Sequence, residues 1–504
     1  MVSEMNDRVD WDGRLSFMGR RVFLKQVGCV GGAVVLGRLS SYATSSARDG
    51  GGARRPDVLF IVIEDIAPLM GCYGHPVVKT PHIDALARRG VLFKNAYCQV
   101  AVCNPSRACV SSGLRPRTTG VYNNSVDWRR RLPDGHLALP EFFRDHGYET
   151  VICGKIHHHQ RYFKDASAEA QQREDRMWNR RLNARSKRYA TPPRRPKAAR
   201  PAWLKEDDYI NRSIEWGPTG LEDTEQRDGA IAAAVAEELK KKHDRPLYMA
   251  VGFHAPNYPL RAPDKYWQMY PPDRVALPQN PKDDLADVPH EYSIFNTTDD
   301  RWLTVDEKRE VIAAYYATIS YIDACVGVLM DALEQPGRLA NTIVCLWGDH
   351  GMHMGEHTLF RKYTLFENAA RVPFVIAAPG VARQGAVCRQ PVELLDIYPT
   401  LVDLCGFPVS GGLDGVSMRP LLADPDRRWK PAAYTSQGPK NHSLRTRRWR
   451  YTEWGGPENA ELYDHENDPG EFTNLAAKPE YADTVKRLHQ LLHDGWPTAA
   501  RERR

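Results

Sequence analysis

The run Asp57-Val58-Leu59-Phe60-Ile61-Val62-Ile63-Glu64-Asp65 sets six consecutive apolar residues directly before two carboxylates. Six apolar residues without alternation read as a strand buried on both faces, the pattern of a sheet covered by helices. The acidic pair then falls at the C-terminal end of that strand, where ligands gather in open α/β sheets.

The same arrangement recurs outward from this run. Thr150 to Cys153 reads as a strand ending before Gly154-Lys155, and Leu247 to Phe253 as one ending before His254. Thr342 to Trp347 runs into Gly348-Asp349-His350, and Val372 to Ala377 is a further strand. Between them lie helical patterns at Leu139 to His146, Gly229 to Lys242, Leu303 to Leu333 and Leu395 to Cys405. Strand and helix in alternation predict an α/β sheet with helices on both faces. From about residue 426 the character changes to short Trp- and Tyr-rich strands, Ala432 to Ser436 and Trp449 to Trp454, and a last helix, Tyr481 to Gly495. That tail reads as a small α+β subdomain over 426–504, after a catalytic domain over 48–425.

Composition excludes several classes. The chain has 504 residues, 42% apolar and 26% charged, which is ordinary for a globular protein and unlike a disordered one. No stretch approaches the roughly 18 uncharged apolar residues of a membrane span. Its ten cysteines are scattered without a Cys-x-x-Cys pair, which argues against a disulfide scaffold and against a zinc site. Net charge is +6, but residues 160–205 alone carry fourteen Lys/Arg against four Asp/Glu. A run that basic suits a polyanionic glycan or nucleic acid; the plainer expectation is a solvated surface insertion.

Arg20-Arg21-Val22-Phe23-Leu24-Lys25, followed by a glycine-diluted apolar run from Val27 to Leu39, resembles a bacterial twin-arginine export signal. Residues 1–47 are therefore read as an address, with the mature chain beginning near residue 48 in the periplasm or outside the cell. No membrane contact is expected after export, and an exported protein seldom meets nucleic acid.

Three groups carry chemistry. Glu64-Asp65 and Asp349-His350 would bring three carboxylates and an imidazole together. Such carboxylates repel unless a cation neutralises them, and an oxygen-rich set favours a hard ion such as calcium. Lys155, His157, His158, His159, His254 and Lys362 are basic groups suited to an anionic substrate. Taken singly, an acidic pair reads as a loop cap and a histidine triplet as an exposed turn. The third group is Cys103-Asn104-Pro105-Ser106-Arg107-Ala108, closed by Ser112-Gly113.

That third group resembles the signature of the type I sulfatases, in which the cysteine is oxidised to formylglycine. The other blocks of the family follow in order. Asp57 to Asp65 with Gly71-Cys72-Tyr73-Gly74 resembles the first metal block, and Thr80-Pro81-His82-Ile83-Asp84-Ala85-Leu86-Ala87 the helix after it. Gly154-Lys155-Ile156-His157-His158, Gly252-Phe253-His254-Ala255-Pro256, and Gly348-Asp349-His350-Gly351 with Arg361-Lys362 resemble the remaining site blocks. Arg115-Pro116-Arg117-Thr118-Thr119-Gly120-Val121-Tyr122 and Leu359-Phe360-Arg361-Lys362-Tyr363 are most similar to iduronate-2-sulfatase and its bacterial relatives.

The resemblance implies an alkaline-phosphatase-like α/β fold, a large mixed sheet sandwiched by helices, with a small C-terminal α+β subdomain. It implies sulfate ester hydrolysis on a sulfated saccharide, after maturation by a formylglycine-generating enzyme. Glu64, Asp65, Asp349 and His350 would hold Ca2+. One hydroxyl of the hydrated formylglycine at position 103 would attack sulfur, assisted by Arg107, while His254 protonates the departing oxygen. His158 or His157 would take the proton of the second hydroxyl, and Lys155 and Lys362 would grip the sulfate. Two departures stand out. The family's usual first Asp is Glu64, whose extra methylene lengthens its reach by about 1.5 Å. The triplet His157-His158-His159 leaves two spacings for the base, of which the iduronate type favours His158. The competing readings are a phosphomonoester or phosphonate ester hydrolase on the same fold and a non-enzymatic glycan-binding protein. Trp128, Arg129 and Arg130 are read either as contacts to a sugar carboxylate or second sulfate, or as ordinary loop residues.

Overall fold

The chain divides into Met1–Ala53 and Arg54–Arg504. The computed structural model describes residues 54–196, 214–289, 303–334 and 337–501. The export signal read over 1–47 and the end of the basic segment, 197–205, lie outside the described residues.

Eight strands build the central sheet: β1 (Asp57–Ile63), β2 (Val91–Phe93), β3 (Glu149–Gly154), β4 (Arg180–Arg181), β5 (Leu247–Phe253), β6 (Thr342–Gly348), β7 (Phe374–Ala377) and β8 (Ala386–Cys388). Their spatial order is β8-β2-β7-β6-β1-β5-β3-β4. All neighbours pair parallel except β7, which runs antiparallel to both β6 and β2, so the sheet is mixed. Pro373 splits the strand expected over Val372 to Ala377: Arg371–Val372 pairs with Ala96–Tyr97, and only Phe374–Ala377 joins the large sheet.

Strand β1 lies centrally and feeds two cores. Leu59, Ile61 and Ile63 pack on one face with α1 (Pro81–Arg89), α3 (Arg227–Leu239) and α4 (Val305–Glu334), through Ile83, Val235 and Ile319. Val58, Phe60 and Val62 pack on the other face with α2 (Cys103–Ser112), through Ala108 and Val110, and with Phe143, Ile397 and Leu401. An unbroken apolar run is what two covered faces require. Helix α4 is long and apolar enough to cross a membrane by composition, but 83% of its most apolar window is buried inside the protein, so it is a core helix.

Register fixes the site. Ile63 pairs with Phe253 on one side and Gly348 on the other, and Gly154 pairs with Gly252. The residues that follow these positions, Glu64-Asp65, His254, Asp349-His350 and Lys155, therefore emerge along one edge. Gly252 permits the last approach: a Cβ there would lie 2.0 Å from the Lys155 carbonyl oxygen, so any side chain would push that loop away.

The described part of the basic segment is largely exposed and is tied to the fold by ion pairs. Arg180–Arg181 form the edge strand β4, and Arg180 pairs with Glu149 and Glu238. Arg173, Arg194 and Arg195 pair with Glu141, Glu310 and Glu215. These four arginines are matched to acids on the surrounding elements. Toward the C-terminus, β9 (Ala433–Gln437), β10 (Asn441–Arg445), β11 (Trp449–Trp454) and β12 (Ala460–Asp464) form an antiparallel sheet, followed by α5 (Ala482–Arg501). Thr435 Oγ1 and Ser436 N bond to the carbonyls of Cys98 and Gln99, which ties this sheet to the chain leading into α2.

Candidate active site

Helix α2 is buried along its whole length and begins at Cys103. Pro105 is tolerated in its first turn, where a missing N–H costs no helical bond, and Gly113 closes it in the left-handed conformation. Arg107 follows Cys103 by four residues and so shares its helix face. Its Nε donates to Asp349 Oδ2 at 2.9 Å and its Nη1 to the carbonyls of Lys155 and Ile156. Nη2 is buried without a partner among the described residues, a donor available to an anionic oxygen.

Cys103 Sγ sits 3.3 Å from Glu64 Oε1, 3.4 Å from His350 Nε2, 3.4 Å from Lys362 Nζ and 3.7 Å from Asp65 Oδ1. Asp65, Cys103, Asp349 and His350 each bring a donor atom within 4.8 Å of the others, all buried. Asp65 itself is held in the left-handed region at φ 53°, uncommon away from functional sites. His350 Nδ1 lies 2.9 Å from the Gly351 carbonyl, which turns Nε2 inward. Asp349 Oδ1 accepts from the backbone N–H of Asp65 and of His350, both at 2.9 Å. Two carboxylates and one imidazole suit a divalent cation, with the oxygens fitting a hard ion better than the nitrogen.

Glu64 stands beside this set, outside the group of four. Its Oε1 accepts from Lys155 and, at 2.7 Å, from Asn257 Nδ2. Lys362 Nζ donates to both oxygens of Asp65, at 2.9 and 2.7 Å. Burial alone would raise the Glu64 carboxyl, but Lys155, Arg107 and Lys362 hold it well below the usual range. Burial likewise opposes the charge on Lys362, and Asp65 overrides it, so that lysine stays protonated.

The histidines separate by environment. His157 Nδ1 lies 2.8 Å from Glu174 Oε2, its Nε2 lies 3.0 Å from Ser111 Oγ, and Trp128 packs on its ring. His158 is buried, and neither of its ring nitrogens has a partner among the described residues. Burial first, and Lys155 second, push its imidazole down to about 3, so it is neutral at pH 7. His254 is half-buried: its backbone N–H donates to Asp228 Oδ1 at 2.8 Å, and its Nδ1 lies 3.3 Å from the same oxygen. All three histidines, with Lys155 and Glu64, line a cavity of about 450 Å³. Trp128 is buried beside His157, Arg129 lines the cavity and is paired with Asp127 and Glu174, while Arg130 lies at the surface near Asp165.

The comparisons agree with this geometry. The Sulfatase family model matches residues 56–407, and the model for the C-terminal region of N-sulphoglucosamine sulphohydrolase matches 355–496. A sulfatase of Formosa agariphila is 30% identical over 459 residues, covering 87% of this chain and 86% of its own. The chain belongs to the sulfatase family. Iduronate 2-sulfatase of Mus musculus is 29% identical over 426 residues, covering 75% of this sulfatase and 73% of its own chain. Among solved structures, a phosphonate monoester hydrolase of Agrobacterium radiobacter superposes with a TM-score of 0.71 at 22% identity, over 88% of this chain and 96% of that one. The expected alkaline-phosphatase-like fold is thus borne out.

The residues expected from the sequence to hold the cation, grip the sulfate and move protons come together here, but four that shape the site were missed. Asn257 bonds Glu64, Asp228 holds His254, and Glu174 and Ser111 hold His157. Asn257 follows His254 by three residues and was within reach of a strand-end search. Asp228 and Glu174 lie on helices and act through tertiary contacts that leave no local signal.

Proposed function

We propose that this sulfatase removes sulfate from a sulfated saccharide, with Cys103 converted to formylglycine by a dedicated maturation enzyme. The observation that carries the reading is the convergence on Cys103 Sγ of Glu64, Asp65, His350 and Lys362, all within 3.7 Å. The thiol stands in for the oxygens of the hydrated aldehyde, which offers one hydroxyl to attack sulfur and a second whose deprotonation releases sulfate. A calcium ion held by Asp65, Asp349 and His350, with Glu64 alongside, would supply Lewis-acid stabilisation of the developing negative charge.

The remaining steps fall to side chains. His254, its Nδ1 fixed by Asp228, presents Nε2 to the departing sugar oxygen and delivers the proton it needs. His158 is neutral and unengaged, which suits it to accept the proton of the second hydroxyl. An anionic sulfate beside it offsets the field of Lys155 and raises its basicity at the moment of need. Arg107 Nη2, Lys155 and Lys362 supply donors for the sulfate oxygens. A uronic acid 2-sulfate is the first saccharide to try, from the likeness to iduronate 2-sulfatase. Intact-mass analysis of protein from its native host should find the cysteine CH2–SH replaced by an aldehyde at position 103. An unmodified Cys103 in active protein would overturn the mechanism.

A second reading, phosphomonoester or phosphonate ester hydrolysis, is favoured by the likeness to the phosphonate monoester hydrolase. Aryl sulfate, aryl phosphate and phenyl phosphonate assayed side by side separate the two: sulfate should be turned over fastest by orders of magnitude. We also propose residues 1–47 as a twin-arginine leader and 426–504 as a subdomain of the exported enzyme. N-terminal sequencing of the secreted protein, expected to start near residue 48, checks the first.

A further inference from the structure

A second convergent donor set lies far along the chain from the active site, between the C-terminal sheet and its helix. Glu453 belongs to β11, and His489 and His493 stand one turn apart on α5. Residues four apart share a helix face, and here that face meets the strand. His489 Nδ1 is 2.6 Å from Glu453 Oε1, and His493 Nε2 is 2.9 Å from Glu453 Oε2. The two imidazole centroids are 4.5 Å apart, and one donor atom from each of the three residues lies within 4.8 Å of the others.

The surroundings prepare this set for a ligand. Glu453 is only 3% exposed, and Tyr451 donates its hydroxyl to Glu453 Oε1 at 2.8 Å, which fixes the carboxylate from behind. Such outer partners orient metal-binding groups. The side chains of His489 and His493 are 40% and 54% exposed, which leaves an entry path and room for their rings to turn. Opposite Glu453 across the sheet stands His442.

Charge points to the kind of ligand. A single carboxylate balances one imidazolium, and two imidazoliums this close would repel. A divalent ion instead uses the lone pairs of two neutral imidazoles and the carboxylate together. Two nitrogens and one oxygen form a borderline donor set that suits zinc, with its fourth position left to water, and does not suit calcium. The other acid–histidine group, Glu367, His465 and Glu471, differs: Arg445 and Arg450 already neutralise its carboxylates.

We propose that Glu453, His489 and His493 bind a zinc-class divalent ion that clamps the C-terminal helix to strand β11. Zinc binding is measured by equilibrium dialysis on the full mature chain carrying Cys103→Ala, with calcium in excess so that the active site does not contribute. One zinc per chain is expected, lost in the further double variant His489→Gln/His493→Gln, together with loss of the zinc-induced rise in Tm. Equal zinc uptake and an equal Tm rise in both proteins would overturn the proposal. A measurement on the unsubstituted chain covers the case of a poorly folded variant. Zinc should slow diethylpyrocarbonate modification of His489 and His493 at least about tenfold, read by peptide mass spectrometry, and unchanged rates would also overturn it.

Discussion

His157 Nδ1 is paired with Glu174 Oε2 at 2.8 Å, so the histidine at one of the two family spacings is committed to the helix that carries Glu174. Ser111 takes the other ring nitrogen, while His158 is left with none of its hydrogen-bonding capacity used among the described residues. On the proposed mechanism this favours His158 as the base and His157 as a positioning residue. His158→Ala should lower kcat by about 10²–10⁴. Glu174→Gln, which keeps the shape and removes the charge, should lower it less than about tenfold and leave the pH profile in place. Steady-state kinetics on an aryl sulfate checks both. Equal losses would mean that the two histidines share the step.

His158 also predicts how stability depends on pH. In the fold its imidazole is held down to about 3, by burial and then by Lys155. In the unfolded chain it titrates near its ordinary value, about 6.5. Between these values the unfolded state binds the extra proton, so stability is lost as pH falls, by about 1.4 kcal/mol per unit. Over pH 6.5 to 4.5, His158→Gln should therefore lose about 2–3 kcal/mol less than the unsubstituted protein. Urea denaturation at a series of pH values measures the difference, and parallel curves would refute it.

The strand-end blocks were legible because each is local: an apolar run stops and polar residues begin. Their meeting follows from a parallel register that carries Ile63, Phe253 and Gly348 side by side. What sequence reasoning missed is tertiary. The helix Ala168–Arg176 is dominated by charged and polar residues and reads as surface, yet Glu174 is buried against His157 and Arg129. The direction of β7 is likewise absent from its own residues, since an apolar run reads alike in either orientation. The same limit applies to His157 and His158: spacing from Lys155 allows either, and only the partners around each ring distinguish them.

Asp349 links the candidate cation set to helix α2. Its Oδ1 caps two backbone N–H groups, and its Oδ2 pairs with the buried Arg107 at 2.9 Å. Asp349→Asn should abolish both turnover and the calcium-dependent rise in Tm, and should destabilise the fold by about 3–5 kcal/mol, because Arg107 is left as an unpaired buried charge. Chelation of the unsubstituted enzyme should abolish turnover without that loss of arginine pairing, so its Tm should fall by less. Thermal unfolding of both proteins with and without calcium tests the distinction.

Arg115 provides a stability test away from the chemistry. Its Nη1 and Nη2 bond Glu393 Oε1 and Oε2 at 2.6 and 2.7 Å, a bidentate pair in which both side chains are buried. Lys430 reaches Glu393 at 2.7 Å and Asp396 at 2.6 Å from a less enclosed position. Planar two-point recognition cannot be replaced by an ammonium, so Arg115→Lys should already destabilise. Arg115→Ala should cost about 3–5 kcal/mol, since it removes one partner of a buried pair. Lys430→Ala should cost less, about 1–2 kcal/mol, because Arg115 still satisfies both Glu393 oxygens. Chemical denaturation ranks the three variants. If Lys430→Ala proved the more damaging, Asp396 rather than Glu393 would be the carboxylate in need of a cation.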